Sequence, residues 1–169
     1  MKILIMGLPG SGKTTLSEKI ILNLKALGHD ADWHNADEIR KKHNDWDFST
    51  HGRLTQANRM AQEAQSSLKN NRIAICDFVC PTLAARELFH GDRYADIVVW
   101  MDTISQGRFE DTNRIFEPPA QWDFRICEFD SDKWSKILTD YITGVKKLHK
   151  WNNKSPTAQM LGRWHKNDK

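Results

Sequence analysis

The 169-residue sequence contains no apolar run near the roughly 20 residues that a membrane span requires. Its opening apolar stretch, Met1 to Met6, is too short for a secretory leader. Both absences point to a cytoplasmic protein with no membrane partner. Cysteine is scarce: Cys76, Cys80 and Cys127 are odd in number and never spaced as CxxC. That argues against a disulfide framework or a zinc site and for buried free thiols. The seven histidines fall at no HExxH or other ligand spacing, so none is assigned to a metal or to catalysis. Internal repeats and low-complexity segments are absent too. Net charge is only +3, but residues 146–169 carry seven Lys or Arg against one acid, Asp168, a local +6 that leaves −3 on the rest. Such a tail, with Trp151 and Trp164, is compatible with nucleic acid through phosphate neutralisation and base stacking, although a solvated terminus is the preferred reading.

With 39% hydrophobic residues the chain can bury one core. It reads as one domain over residues 1–150 followed by a basic tail over 151–169. Strand-like and helix-like segments alternate, which predicts an α/β fold with a central parallel sheet flanked by helices on both faces. Ile3 to Met6 is a continuous apolar run, as expected of a strand buried on both sides. Leu16, Ile20, Leu24 and Leu27 then recur at helical spacing, with Gly28 as a C-cap. Further strands are predicted at residues 31–35, 73–76, 97–101 and 124–127. A long helix is expected near 52–69 on a face of Leu54, Ala57, Ala61, Ala64 and Leu68, and another after Pro81-Thr82. The last is given the face Trp134, Leu138, Tyr141, Val145 and Leu148. Residues 108–122, with mixed charge, Pro118-Pro119 and no period, read as a mobile loop.

Gly7-x-x-x-x-Gly12-Lys13-Thr14 satisfies the Walker A pattern, with a strand before it and a helix after it. Glycines at 7, 10 and 12 permit the tight turns that surround phosphates with backbone N–H groups at the positive end of a helix. The ATP-binding loop is therefore read as Gly7, Leu8, Pro9, Gly10, Ser11, Gly12, Lys13, Thr14 and Thr15. Lys13 is expected to neutralise the β- and γ-phosphates, and the Thr14 hydroxyl to ligate Mg²⁺. After the second strand, Asp37 is a candidate proton acceptor or metal partner, and Arg40 a candidate anion partner one turn later. The competing reading of Asp37 is an ordinary helix N-cap. Asp77 and Asp102, near strand ends, are candidates for a metal-water contact or, again, helix caps. Arg108 or Arg114 is a candidate to reach ATP from the segment after the fourth strand, or else a solvated loop charge.

Over residues 1 to about 90 this succession resembles the adenylylsulfate (APS) kinases, which phosphorylate the 3′-hydroxyl of adenosine 5′-phosphosulfate using ATP. The family's Asp-Gly-Asp-x-x-Arg motif is matched by Asn35-Ala36-Asp37-Glu38-Ile39-Arg40 at the second Asp and the Arg. Its Gly-Phe-Ser is matched by Asp47-Phe48-Ser49, its Arg-x-x-Asn by Arg53-Leu54-Thr55-Gln56, and its Ser-Phe-Ile-Ser-Pro by Asp77-Phe78-Val79-Cys80-Pro81. The resemblance implies that Asp37 is the catalytic carboxylate, that Arg40 and Arg53 clamp the phosphosulfate, and that Phe48 and Phe78 sandwich the adenine. Gln56, Val79 and Cys80 complete the implied substrate site. Small-molecule nucleotides are the implied partners, with ATP and Mg²⁺ as cofactors, and a homodimer is left open. Two rival readings stand beside it: a kinase for another hydroxyl, such as a nucleoside, a polynucleotide end or a modified base, and a catalytically inactive nucleotide-binding module. The altered motif at Asn35-Ala36 and the basic tail motivate the first, and the loss of the first Asp, at Asn35, and of the basic lid over residues 108–114 the second.

Overall fold

The computed structural model describes residues 1–92 and 94–144. Five strands alternate with helices along the chain: β1 (Lys2–Gly7), α1 (Lys13–Ala26), β2 (Ala31–Asn35), α2 (Ala36–His43), α3 (Thr50–Lys69), β3 (Ile73–Asp77), α4 (Leu83–His90), β4 (Ile97–Met101), α5 (Glu110–Ile115), β5 (Phe124–Ile126) and α6 (Ser131–Ile142). All strand pairs are parallel, in the order β2-β3-β1-β4-β5. This is the expected α/β architecture.

The central strand β1 explains the layering. Ile3 and Ile5 point into a core with Leu16, Ile20 and Leu24 of α1 and Trp134, Leu138 and Ile142 of α6. Leu4 and Met6, alternate residues on the pleat, join Ala57, Met60 and Ala64 of α3 and Phe89 of α4 on the other face. Because both faces are covered, β1 is apolar throughout its core. The chain leaves β1 towards β3 and β2 on one side and β4 and β5 on the other. The carboxyl end of β1 is thus the switch point where open parallel sheets place ligands.

Local signals set most boundaries. Gly28 takes a left-handed φ of 78° after α1, donating to Lys25 O while His29 N donates to Leu24 O, which is the Schellman closure that glycine favours. Thr82 caps α4 through a hydrogen bond from Ala85 N.

Several expectations are corrected. Leu27 and Tyr141 are 57% and 46% exposed, so the buried stripes end at Leu24 and shift to Ile142. In α3 the buried positions are Gly52, Gln56, Ala57, Met60, Ala64 and Ser67, a stripe rotated from the expected one because two polar residues, Gln56 and Ser67, carry internal hydrogen bonds. Cys76 and Cys80 are buried but Cys127 is exposed. Residues 108–122 contain the short helix α5 and are tied to the body at both ends. Asn113 bonds both backbone groups of Gly107, and Glu117 N donates to Pro81 O at 2.7 Å. Val145, Leu148 and the basic tail lie outside the described residues. No helix among the described residues is long and apolar enough to cross a membrane.

Candidate active site

The loop after β1 is built by its glycines. Gly7 adopts φ 149°, and a Cβ there would sit 2.4 Å from Met101 O, so only glycine lets β1 end against β4. Gly10 and Gly12 are also left-handed, at φ 92° and 91°. Gly12 forms the N-cap of α1 with no side chain on the cap, leaving the helix's positive end to an anion. Lys13, in the first turn, is 9% exposed and donates through Nζ to Leu8 O at 2.9 Å. Burial lowers its pKa to about 8, against the opposing pull of the Asp77 and Asp37 charges.

A cavity of about 490 Å³ opens beside this loop, between the ends of β2 and β3, the starts of α2 and α3, and α5. Pro9, Gly10, Lys13 and Thr14 border it from the loop, while Gly7, Leu8, Ser11, Gly12 and Thr15 shape the turn without lining it. Opposite stand Asp37 and Arg40 of α2, Arg53 and Gln56 of α3, Phe78, Val79 and Cys80 after β3, and Phe48 and Arg108. The sequence-predicted catalytic and acceptor residues therefore share one cavity.

Asp37 does not cap α2. Asn35 does, accepting from Asp37 N and Glu38 N at 3.0 and 3.1 Å, so the exposed Asp37 carboxylate, in the first turn of α2, carries no capping role. The carboxylate of Asp77 is 2% exposed and accepts from Trp33 Nε1 at 2.9 Å, Asn35 Nδ2 at 3.1 Å and the Thr14 hydroxyl at 3.1 Å. Burial holds its pKa above the usual carboxylate range. Asp102 instead pairs with Arg125 at 2.6 Å, away from the cavity. Neither aspartate caps a helix.

The cationic side chains are already engaged. Arg40 is 4% exposed; its guanidinium donates to Asp47 O at 2.9 Å and Asp45 O at 3.2 Å, and lies 4.6 Å from the Phe48 ring centre. Arg53 donates to Phe48 O at 2.8 Å, to Thr112 Oγ1 at 3.1 Å and to the Asp111 carboxylate at 2.7 Å. Gln56 Nε2 donates to Ala36 O at 3.0 Å, and its buried Oε1 has no partner among the described residues, so the amide offers an acceptor. Phe48 is half exposed; Phe78 is buried edge-on against Phe89. Arg108 borders the cavity, whereas Arg114 pairs with Glu110 on the exposed side of α5. Sequence reasoning missed Trp46, Phe109, Asp111 and Thr112. Trp46 carried a usable signal, a second aromatic two residues before Phe48 in a short loop, and it is 52% exposed at the cavity wall.

A phosphate-binding loop at the switch point of a five-stranded parallel sheet, with a carboxylate and cations across a shared cavity, defines a P-loop kinase. The family model for adenylylsulphate kinase matches residues 1–112, and the chain belongs to that family. The fold is similar to that of Mycobacterium tuberculosis APS kinase, solved with AMPPNP and APS, at TM-score 0.71 and 20% identity over 84% of this chain and 97% of that one. A hexameric APS kinase from Thiobacillus denitrificans aligns at TM-score 0.65 and 20% identity, covering 84% of this chain and 29% of that one. Shikimate kinase from Acinetobacter baumannii, solved with shikimate, gives TM-score 0.52 and 19% identity over 86% and 94%. No curated protein sequence matches the chain.

Proposed function

We propose that the chain transfers the γ-phosphoryl group of MgATP to the 3′-hydroxyl of adenosine 5′-phosphosulfate, giving ADP and 3′-phosphoadenylyl sulfate. The observation that carries this reading is the shared cavity: Lys13 and Thr14 border it on the donor side, and Asp37, Phe48, Phe78 and Gln56 on the acceptor side. Asp37 accepts the proton of the attacking hydroxyl, being exposed and free of the capping role. Lys13 neutralises the transferring phosphate, and Arg108 adds positive charge from the segment before α5. Phe48, half exposed, offers an aromatic face to the adenine of the acceptor, while the buried Phe78 borders the same cavity.

The donor set suits Mg²⁺ as a partner of ATP. Thr14 Oγ1 and an Asp77 oxygen lie 3.1 Å apart at the loop, both hard ligands, and among the described residues no three His, Cys, Asp or Glu side chains converge on a dedicated metal site. That is the pattern of an ion held by phosphates, water and one hydroxyl. When bound with ATP, it supplies charge neutralisation on the β- and γ-oxygens.

One observation favours a second reading, a kinase for another hydroxyl: the Arg40 guanidinium is committed to the carbonyls of residues 45 and 47, which leaves fewer donors for a phosphosulfate. ADP release from MgATP, measured with and without APS at low micromolar acceptor, separates the two. APS-dependent turnover is expected. ATP binding with turnover only on nucleosides or DNA ends would replace APS as the acceptor, and tight ATP binding with no turnover on any hydroxyl would make the chain a binding module.

A further inference from the structure

The connection between α2 and α3, residues 44–49, is held by a dense set of polar contacts. Asp45 pairs with Arg59 at 2.6 Å and accepts from Asp47 N at 3.0 Å. Asp47 in turn accepts from Ser49 N at 2.8 Å and from the Ser49 hydroxyl at 3.0 Å. Arg40 donates to the carbonyls of Asp45 and Asp47, and Arg53 Nε to that of Phe48. A Cβ at Gly52 would lie 2.3 Å from Asp47 O, so only glycine lets the loop pass this close to the first turn of α3. Every second side chain, at Asp45, Asp47 and Ser49, is bonded within the loop or to an arginine, and none of the three borders the cavity. The alternate residues, Trp46 and Phe48, both border it.

These two rings are the exposed aromatic surface on the acceptor side. A tryptophan left half in water forgoes much of the roughly 150–250 Å² that such a ring buries when packed. The Phe48 ring is backed by cations, with the Arg40 and Arg53 guanidinium groups 4.6 and 5.7 Å from its centre. Trp46 has no such backing: among the described residues no ring or cation stacks on its indole. Phe78, which the resemblance pairs with Phe48, is only 6% exposed and packs edge-on with Phe89 in the core. Phe109, the third exposed ring at the cavity, adjoins Arg108 in the segment that the donor reading uses. A flat heteroaromatic ring suits the Trp46–Phe48 surface, since offset stacking covers its apolar area and every nucleobase has a π-face.

We propose that Trp46 is a specificity-determining residue of the acceptor site, its indole forming with the Phe48 ring the aromatic wall against which a flat base stacks. The wall is preorganised, because contacts from Arg40, Arg53 and Arg59 fix its backbone before a ligand arrives. This deepens the acceptor reading and rests on an acceptor that carries a base, as APS does, but on no property of its phosphosulfate.

The test uses the full chain with the donor site filled by MgADP. APS, adenosine and guanosine are titrated by calorimetry into the parent protein, Trp46→Ala and Trp46→Phe. Trp46→Ala should weaken APS binding by about 5–150-fold, the range for loss of one base-stacking partner. Adenosine should lose the same factor, because it keeps the base and lacks the anion. Trp46→Phe, which restores an aromatic face, should recover most of the loss. In turnover the KM for APS should rise with kcat nearly unchanged, and the melting temperature of Trp46→Ala should stay close to the parent's, as for a side chain half in water. Unchanged APS binding in Trp46→Ala would overturn the assignment. So would a loss confined to APS, since Trp46 would then act on the anionic end. A parent that binds a nucleoside but not APS, with the Trp46 dependence intact, would remove APS as the acceptor and leave the wall standing. A parent that binds none of the three would overturn both.

Discussion

At the scale of single residues, Lys13 carries the clearest consequence. Its pKa of about 8, against an ordinary 10.5, arises from burial, so the free protein holds the ammonium at a disadvantage that the bound phosphates remove. The sign follows: a base whose folded pKa is depressed destabilises the fold while charged, below its folded pKa, and that cost fades as pH rises towards the unfolded value. Nucleotide binding should restore the proton. Calorimetry of ATP binding in buffers of different ionisation enthalpy should show uptake of roughly half a proton per site near pH 8, falling towards zero about 1.5 pH units lower. Lys13→Met should abolish the uptake and turnover while leaving the fold intact. A parent protein with no buffer dependence at pH 8 would mean that Lys13 is already fully charged in the free state.

At the scale of elements, α5 is the segment whose behaviour bears most on substrate entry. Asp111 occupies Arg53, the side chain that the acceptor reading assigns to an anion, and the pair is exposed on the acid's side, with Asp111 at 64%. An exposed pair of this kind is worth about 0.2–1 kcal/mol. Asp111→Asn should therefore lower KM for an anionic acceptor by up to about fivefold with kcat nearly unchanged, and the gain should shrink in high salt. A raised KM would show that Asp111 helps to hold the acceptor and would count against Arg53 as its anion clamp. The same element shows where sequence reading stops. The elements legible in the sequence announce themselves locally: β1 by its apolar run, α1 by the glycine loop and Gly28, α4 by the Thr82 cap. Helix α5 has six residues, too few for a period, and its anchors lie far along the chain at Arg53 and Pro81. For the same reason the P-loop, Asp37, Phe48 and Phe78 were recognisable as motifs, whereas the Asn35–Asp77 contact spans 42 residues and follows only from strand register. Arg40 was legible as a residue of the crevice beyond β2, but not its commitment to loop carbonyls.

At the scale of the whole molecule, the nucleotide loop depends on an element that carries no motif. Helix α6 lies beyond the 112 residues of the family match, yet Trp134, Leu138 and Ile142 pack with Leu16, Ile20 and Leu24 of α1, the helix whose first turn holds Lys13 and Thr14. Trp134 is 2% exposed and does not line the cavity, so its contribution is to the fold. Trp134→Ala should destabilise by about 3–5 kcal/mol, a large part of a domain's margin, measured by urea unfolding. Because its indole N–H is buried without a partner among the described residues, Trp134→Phe should cost less than the volume change suggests. MgATP at about 100 times its Kd should return roughly 2.7 kcal/mol by binding only the folded form. The Trp134→Ala protein should then turn over, per folded molecule, at close to the parent rate. If, in a variant that keeps Trp134 as its single tryptophan, fluorescence and ATP binding are lost at different urea concentrations, α6 unfolds apart from the sheet and the loop does not need it. A single coincident transition would establish that the phosphate loop unfolds together with the packing of α6 along α1.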